Sequence, residues 1–154
     1  MNKPIVIVMM STYNGERFLK QQVESILHQE DVAVQLFVRD DGSSDATRDI
    51  LEQYKKDYAN IYVDFGSNIG WKRSFFELLK KAVPKGDSYF AFSDQDDIWK
   101  KDKLKVAVKM LSVIDGPAVY HSNVEIVNGK LDELGSRFSK DFTPSTRIPS
   151  AFID

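Results

Sequence analysis

The chain has no cysteine, which excludes disulfides and thiolate-bound metals. With only two histidines, His28 and His121, imidazole ligation has little to draw on, so a metal bound here is expected to be a hard ion held by oxygen. No segment approaches the roughly 18 consecutive apolar residues of a membrane span. The apolar stretch behind Met1-Asn2-Lys3 ends by Met10 with no small-residue cleavage site after it, so it reads as a buried first strand rather than a signal peptide, and the chain is expected to be cytoplasmic. A surplus of positive charge is missing too: 21 Lys and Arg against 23 Asp and Glu leave a net charge of -2. That balance gives no basic stripe for a phosphate backbone, and nucleic acid is set aside as a main partner. What is present is 154 residues with 42% hydrophobic content, one ordinary domain that can bury a core without covalent staples.

Pro4 to Met10 is nearly continuous apolar and β-branched, as in a strand covered on both faces. A polar loop, Ser11-Thr12-Tyr13-Asn14-Gly15, follows. Phe18, Leu19, Val23, Ile26 and Leu27 then recur at helical spacing from Glu16 to about His28. Val34 to Arg39 resumes strand chemistry. Ser44 or Asp45 can cap a helix with inner face Ile50, Leu51, Tyr54 and Tyr58. Ile61 to Phe65 predicts a third strand, and Phe75, Phe76, Leu78, Leu79, Ala82 and Val83 a third helix ending before Pro84 and Gly86. Ser88 to Phe92 is a fourth strand, Leu104 to Leu111 a fourth helix, and Ala118 to Tyr120 the start of a fifth strand reaching toward Val124. Such alternation argues for a mainly parallel sheet with helices on both faces. The first four strands end in polar loops that open on one edge, where ligands of this architecture sit. After Val127 helical periodicity fades, which divides the chain into a core, 1–127, and a linker, lid or acceptor-side segment, 128–154.

Two of those loops are acidic: Asp40-Asp41-Gly42-Ser43-Ser44-Asp45 and Ser93-Asp94-Gln95-Asp96-Asp97. Turn and cap chemistry accounts for Gly42, Ser44 and Asp45. It does not account for Asp40 beside Asp41, since adjacent carboxylates repel unless a cation or donor meets them. Facing one crevice, the two clusters can hold a divalent ion and a nucleotide diphosphate, whose departure from a sugar requires a Lewis acid at the pyrophosphate. Mg²⁺ or Mn²⁺ takes few protein carboxylates, leaving others for ribose hydroxyls or a base N–H. Tyr13 can stack on a base. Asn14-Gly15 also fits a helix cap, and Asn68-Ile69-Gly70 a plain turn. Lys72 and Arg73 at the next helix start can meet phosphate or face water. His28 reads as structural, His121 as a half-buried strand histidine, and Trp99 as a core anchor fixing the second acidic loop. Lys100 to Lys109 is a solvated helix face, with attraction to an anionic membrane surface as the alternative.

Taken together, these four loops and the Ile98-Trp99 that follows resemble the family 2 glycosyltransferases of the GT-A fold, over roughly residues 4 to 125. The first loop and Asp-Gln-Asp-Asp-Ile-Trp are most similar to bacterial rhamnosyltransferases of polysaccharide synthesis. The resemblance implies that Ser11 and Tyr13 line the base pocket, that Asp41 accepts from the base, and that Asn68, Lys72, Arg73 and Asp94 belong to the nucleotide site. Asp94-Gln95-Asp96 stands at the family's DXD motif, with Asp96 or Asp97 as ligand to Mg²⁺ or Mn²⁺. It further implies an inverting transfer from a UDP- or dTDP-sugar, dTDP-rhamnose among them, to a saccharide or lipid-linked acceptor near the inner membrane face. Ser74 stands where many relatives have Asn.

Inverting members carry an Asp or Glu general base in a later segment. Asp132, Glu133, Asp141 and Asp154 sit in no such motif, so the base is expected beyond Asp154 and the chain to be the donor-binding part of a longer enzyme. One alternative is a non-catalytic nucleotide-binding module. A sugar nucleotidyltransferase would need a glycine-rich, arginine-containing first loop, and a receiver domain an acidic pair after the first strand; neither is present.

Overall fold

The computed structural model describes residues 2–82, 88–128 and 131–136. It divides the chain into two compact units, 1–118 and 119–154. In the first, β1 (Ile5–Thr12), β2 (Ala33–Asp40), β3 (Ile61–Phe65) and β4 (Ser88–Ser93) form one four-stranded sheet in the order β3-β2-β1-β4. All three pairings are parallel, with Met10 opposite Ser93 and Thr12 opposite Asp40. Between the strands run α1 (Leu19–Leu27), α2 (Thr47–Asp57) and α3 (Trp71–Lys81), and α4 (Lys103–Leu111) follows β4.

β1 is central because it is apolar in both alternating sets. Val6, Val8 and Met10 pack with Leu19, Val23 and Ile26 of α1, Leu51 of α2, Trp99 and Leu104. Ile7 and Met9 face the other way, onto Leu78 of α3 and Ala82. Burying each such side chain stabilises the fold by about 1.5–3 kcal/mol. The chain steps outward from β1 to β3 with α1 and α2 on one face, then returns by α3 across the opposite face to place β4 on the free side of β1. The direction of winding thus reverses between β1 and β4, and the crevice beyond their carboxyl ends is where such sheets bind ligands.

Buried glutamines tie this edge together. Gln22 Nε2 donates to Ser93 Oγ at 2.6 Å. Gln29 Nε2 donates to the Lys100 carbonyl at 2.8 Å, and its Oε1 accepts from Leu104 N at 2.9 Å. Trp99, a core residue as expected, donates its backbone N–H to Ser25 Oγ at 3.0 Å. Ser93 at the end of β4 and the segment after the second acidic turn are therefore moored by Gln22 and Ser25 of α1 and by Gln29 just beyond it.

Several expectations are corrected. β1 runs through Ser11 and Thr12, so those residues end the strand rather than begin the loop. No strand forms at Ala118 to Tyr120: the run follows Gly116-Pro117, and Val119, at 91% exposure, has no face to bury. The strands found after α4 are β5 (Glu125–Val127) and β6 (Glu133–Ser136), an antiparallel pair in the second unit. His121 is consequently exposed and outside any strand. Neither Asn14 nor any other side chain caps α1. The expected extension of α3 to Val83 lies outside the described residues, as do Asp141 and Asp154. Lys105 pairs with Asp31 at 2.6 Å on a mostly exposed face of α4. Among the described residues no helix is long and apolar enough to cross a membrane.

Trp99→Ala is expected to lower unfolding free energy in chemical denaturation by about 3–5 kcal/mol. A loss below about 1 kcal/mol would show that the indole is not a core anchor.

Candidate functional site

At the β1/β4 crevice lies an open cleft of ≈ 220 Å³, lined by Ser11, Thr12, Tyr13, Asp41, Trp71, Phe75, Asp94, Gln95 and Asp96. Its floor is the β1 end. Its acidic walls are the loops after β2 and β4, and its aromatic wall is the first turn of α3.

The β2 loop is built around a buried ion pair. Arg39 is 5% exposed and Asp41 2%; the Arg39 guanidinium donates to Asp41 Oδ1. Asp41 also accepts from the backbone N–H groups of Ile69 at 2.9 Å and Gly70 at 2.8 Å. Burial pushes the Asp41 carboxyl up, but the Ile69 N–H, the Arg39 guanidinium and the Gly70 N–H together hold it below the usual carboxylate range. Arg39 reaches further, to the Ser67 carbonyl at 3.1 Å and to Ser74 Oγ at 3.2 Å. A Cβ on Gly66 would collide with that guanidinium, which makes glycine the residue that fits there. Asp40 points the other way, fully buried, meeting Arg48 Nε at 3.1 Å and the N–H groups of Gly42 and Ser43 at 3.2 Å. Each of the two adjacent carboxylates thus has its own arginine, which answers the repulsion the sequence posed. Gly42 has φ +84, and a Cβ there would lie 2.9 Å from Asn68 N. Both its handedness and its closeness to the β3–α3 turn require glycine.

The β1 loop is zipped to the same element. Asn14 N donates to Ser43 Oγ at 2.9 Å, Gly15 N to Thr47 Oγ1 at 2.8 Å, and Glu16 N to Asp45 Oδ2 at 3.1 Å. In return Asn14 Oδ1 accepts from Ser44 N at 2.9 Å, and Glu16 carboxylate from Ala46 N at 2.8 Å. The expected cap of α2 by Ser44 or Asp45 is corrected: the N-cap is Ala46 with no side-chain cap bond, and Asp45, one residue earlier, accepts from Thr47 N at 3.0 Å. Across the crevice Gln95 clasps the Tyr13 backbone, accepting from its N–H at 2.9 Å and donating to its carbonyl at 3.2 Å.

In the β4 loop, partial burial and then the neighbouring Asp97 and Asp96 carboxylates raise Asp94 above its ordinary pKa. Crowding of like charge at a cleft wall is relieved by a cation. Among the described residues no three His, Asp or Glu side chains form a ready metal cage.

Of the residues expected from sequence, Ser11, Tyr13, Asp41, Asp94 and Asp96 converge on the cleft. Asn68, Lys72, Arg73 and Asp97 do not line it; all four are exposed, and Lys72 Nζ lies over the Trp71 ring at 5.5 Å. Sequence reasoning missed Trp71 and Phe75 as lining and Arg39 behind it; Ser74, noted only as standing where many relatives have Asn, also lies behind it. Position was the available signal for Trp71, which opens α3 directly after Gly70. Thr12 Oγ1 at the cleft floor is buried without a hydrogen-bond partner. Of the remaining carboxylates, Asp132 and Glu133 belong to the second unit.

Residues 7–148 match the family model described as Glycosyl transferase family 2. The chain belongs to glycosyl transferase family 2. Over 118 residues this family 2 chain is 40% identical to the dTDP-rhamnosyl transferase RfbG of Shigella flexneri, covering 75% of this chain and 40% of that protein. It is 36% identical over 110 residues to the putative teichuronic acid biosynthesis glycosyltransferase TuaG of Bacillus subtilis, covering 71% and 42%. It therefore spans about two fifths of the length of these relatives. Among solved structures, S. aureus TarS 1-349 in complex with UDP-GlcNAc superposes with TM-score 0.62 at 24% identity, covering 82% of this chain and 40% of TarS. The mannosyltransferase PcManGT from Pyrobaculum calidifontis, in complex with GDP-Man and Mn2+, superposes with TM-score 0.61 at 21% identity, covering 73% and 33%. These neighbours bear out the parallel GT-A sheet.

Asp41→Asn strands the buried Arg39 charge, and is expected to cost about 3–5 kcal/mol at neutral pH in urea denaturation. Because the carboxyl is held below its unfolded value, its contribution is complete above about pH 4 and fades as pH falls through the folded pKa. The difference between wild type and variant should shrink over that acid range; a difference independent of pH would contradict the pairing.

Proposed function

We propose that the first unit binds the nucleoside diphosphate of a sugar donor across the β1/β4 crevice. The whole protein then transfers the sugar, with inversion, to a saccharide or lipid-linked acceptor. The observation that carries this reading is the convergence of Ser11, Tyr13, Asp41, Asp94 and Asp96 on one cleft at the switch point of a family 2 chain. The kinship with a named dTDP-rhamnosyl transferase supports a uridine or thymidine diphosphate donor, dTDP-rhamnose among them.

In this reading the exposed Tyr13 ring stacks on the base while Asp41 accepts its N–H. Asp94 receives ribose or sugar hydroxyls. Asp96, which lines the cleft, would hold Mg²⁺ or Mn²⁺, with Asp97 beside it as the second candidate. When bound, the ion supplies the positive charge that stabilises the departing diphosphate. Trp71 and Phe75 close the opposite wall and limit water at the anomeric carbon. Lys72 and Arg73, outside the lining, are left to meet phosphate oxygens from the rim, with Asn68 shaping the turn that presents them. An inverting transfer also needs a base within reach of the acceptor hydroxyl, and none of the described carboxylates is assigned that part.

Titration calorimetry of the chain with UDP and dTDP tests the reading. Either nucleotide should bind with Mn²⁺ present, weaken at least about tenfold on chelation, and weaken comparably in Asp96→Ala. Binding that ignores both chelator and substitution would sink the assignment.

A further inference from the structure

Behind the cleft floor lies a pair of hydroxyls whose protons can be placed by elimination. Ser74, 0% exposed, sits in the first turn of α3 with its Oγ 2.7 Å from Ser11 Oγ. It also accepts from Arg39 Nη1 at 3.2 Å, the same nitrogen that donates to Asp41 Oδ1. A guanidinium has only protons to give, so Arg39 occupies one Ser74 lone pair. The Ser74 proton then needs an acceptor. Among the described residues Ser11 Oγ is the one within reach, because the remaining hydrogen bond of Ser74 uses its backbone N–H, given to Gly70 O. Were Ser11 to donate instead, Ser74 would keep a buried, unpaired O–H, an arrangement that folded proteins avoid. The order of donation is therefore Arg39 to Ser74 to Ser11, and Ser11 retains its own proton for the cleft it lines.

Asp41 presents the complement. Its Oδ1 already accepts twice, from Arg39 and Ile69 N, and its Oδ2 once, from Gly70 N. One Oδ2 lone pair remains for a donor. Through Arg39 and Ser74 the cleft thus holds a fixed donor and a fixed acceptor on one hydrogen-bonded frame.

We propose that Arg39 and Ser74 are positioning residues that lock the Ser11 hydroxyl as a donor beside the Asp41 acceptor, so that the cleft selects a base with an O=C–N–H edge. The proposal rests on the donor-nucleotide reading above. Uracil, thymine and guanine present that edge. Adenine, and cytosine on its C4 side, instead turn an unprotonated ring nitrogen toward the carboxylate and an amino group toward the hydroxyl proton, so both contacts are mismatched; on its C2 side cytosine keeps a carbonyl for the hydroxyl and mismatches the carboxylate. Without Ser74 Oγ, Ser11 can rotate to accept an amino proton as readily as it donates to a carbonyl.

UDP and CDP are pyrimidines of equal size that differ at this edge, and calorimetric titration of the chain with each, in Mn²⁺, tests the proposal. The unmodified chain should favour UDP by at least about tenfold. Ser74→Ala should narrow that ratio at least about threefold while UDP binding still depends on Mn²⁺. Ser11→Ala should narrow it similarly and the double variant no further, a coupling that loss of packing alone would not produce. If Ser74→Ala fails to fold, Ser11→Ala, at a strand end, carries the comparison. Equal affinity for UDP and CDP in the unmodified chain, or an unaltered ratio in folded variants that still bind UDP with Mn²⁺, would overturn the positioning role and leave the donor reading standing. No binding of either nucleotide to the unmodified chain would overturn the donor reading, and this proposal with it.

Discussion

The buried pairing of Arg39 with Asp41 is the constraint on which the rest of the cleft depends. Both charges are almost fully removed from solvent, and such a pair is tolerated only when hydrogen bonds meet the valences that remain. Here those bonds go to neighbouring elements: Asp41 receives Ile69 and Gly70 N–H, while Arg39 reaches Ser67 and Ser74. The end of β2 is thereby fastened to the β3–α3 turn. Because α3 begins at Trp71, fastening that turn also sets the aromatic wall of the cleft. Gly66 and Gly42 take part by what they lack, since a Cβ at either would strike the Arg39 guanidinium or Asn68 N.

A second frame fixes the β1 loop against the β4 loop and the α2 entry, and α1 against β4. Gln95 clasps the Tyr13 backbone, Gln22 anchors Ser93, and the cross-bonds from Asn14, Gly15 and Glu16 to the α2 entry leave the first loop little freedom. Two roles are thereby separated among the acidic residues. Asp40, Asp41 and Asp45 are satisfied by protein donors and act as architecture, with Asp41 keeping one lone pair for the cleft. Asp94 and Asp96 stand on the cleft wall in a crowded, mutually repelling group that favours a cation.

Much of this was legible in the chain itself. Apolar runs ending in polar loops located the first four strands, and the parallel rule placed their loops on one edge; β3 matches its expected span, and β1, β2 and β4 differ by a residue or two at their ends. The acidic turns stood out because unpaired carboxylates at strand ends require partners. What was not legible is long-range pairing of polar groups. Gln22, Gln29 and Ser74 are buried with partners distant in sequence, as Arg39 is with Ser67 and Ser74 in addition to its neighbour Asp41, and no periodicity marks a polar residue that will be satisfied inside. Asn14 reads as a cap for its own helix but serves the entry of α2 instead. The expected fifth strand failed for a related reason: a short apolar run becomes a strand only beside a ladder, and at Val119 none forms.

On the proposed reading a nucleoside diphosphate sits in the β1/β4 crevice, framed by Arg39 and Asp41. Amide chemical-shift mapping of the isotope-labelled chain, titrated with UDP in Mg²⁺, tests it most directly. The perturbed amides should cluster at residues 11–15, 41–43, 69–75 and 93–97, with the exposed outer faces of α2 and α4 silent. Perturbations scattered over those outer faces, or confined to the second unit, would contradict it.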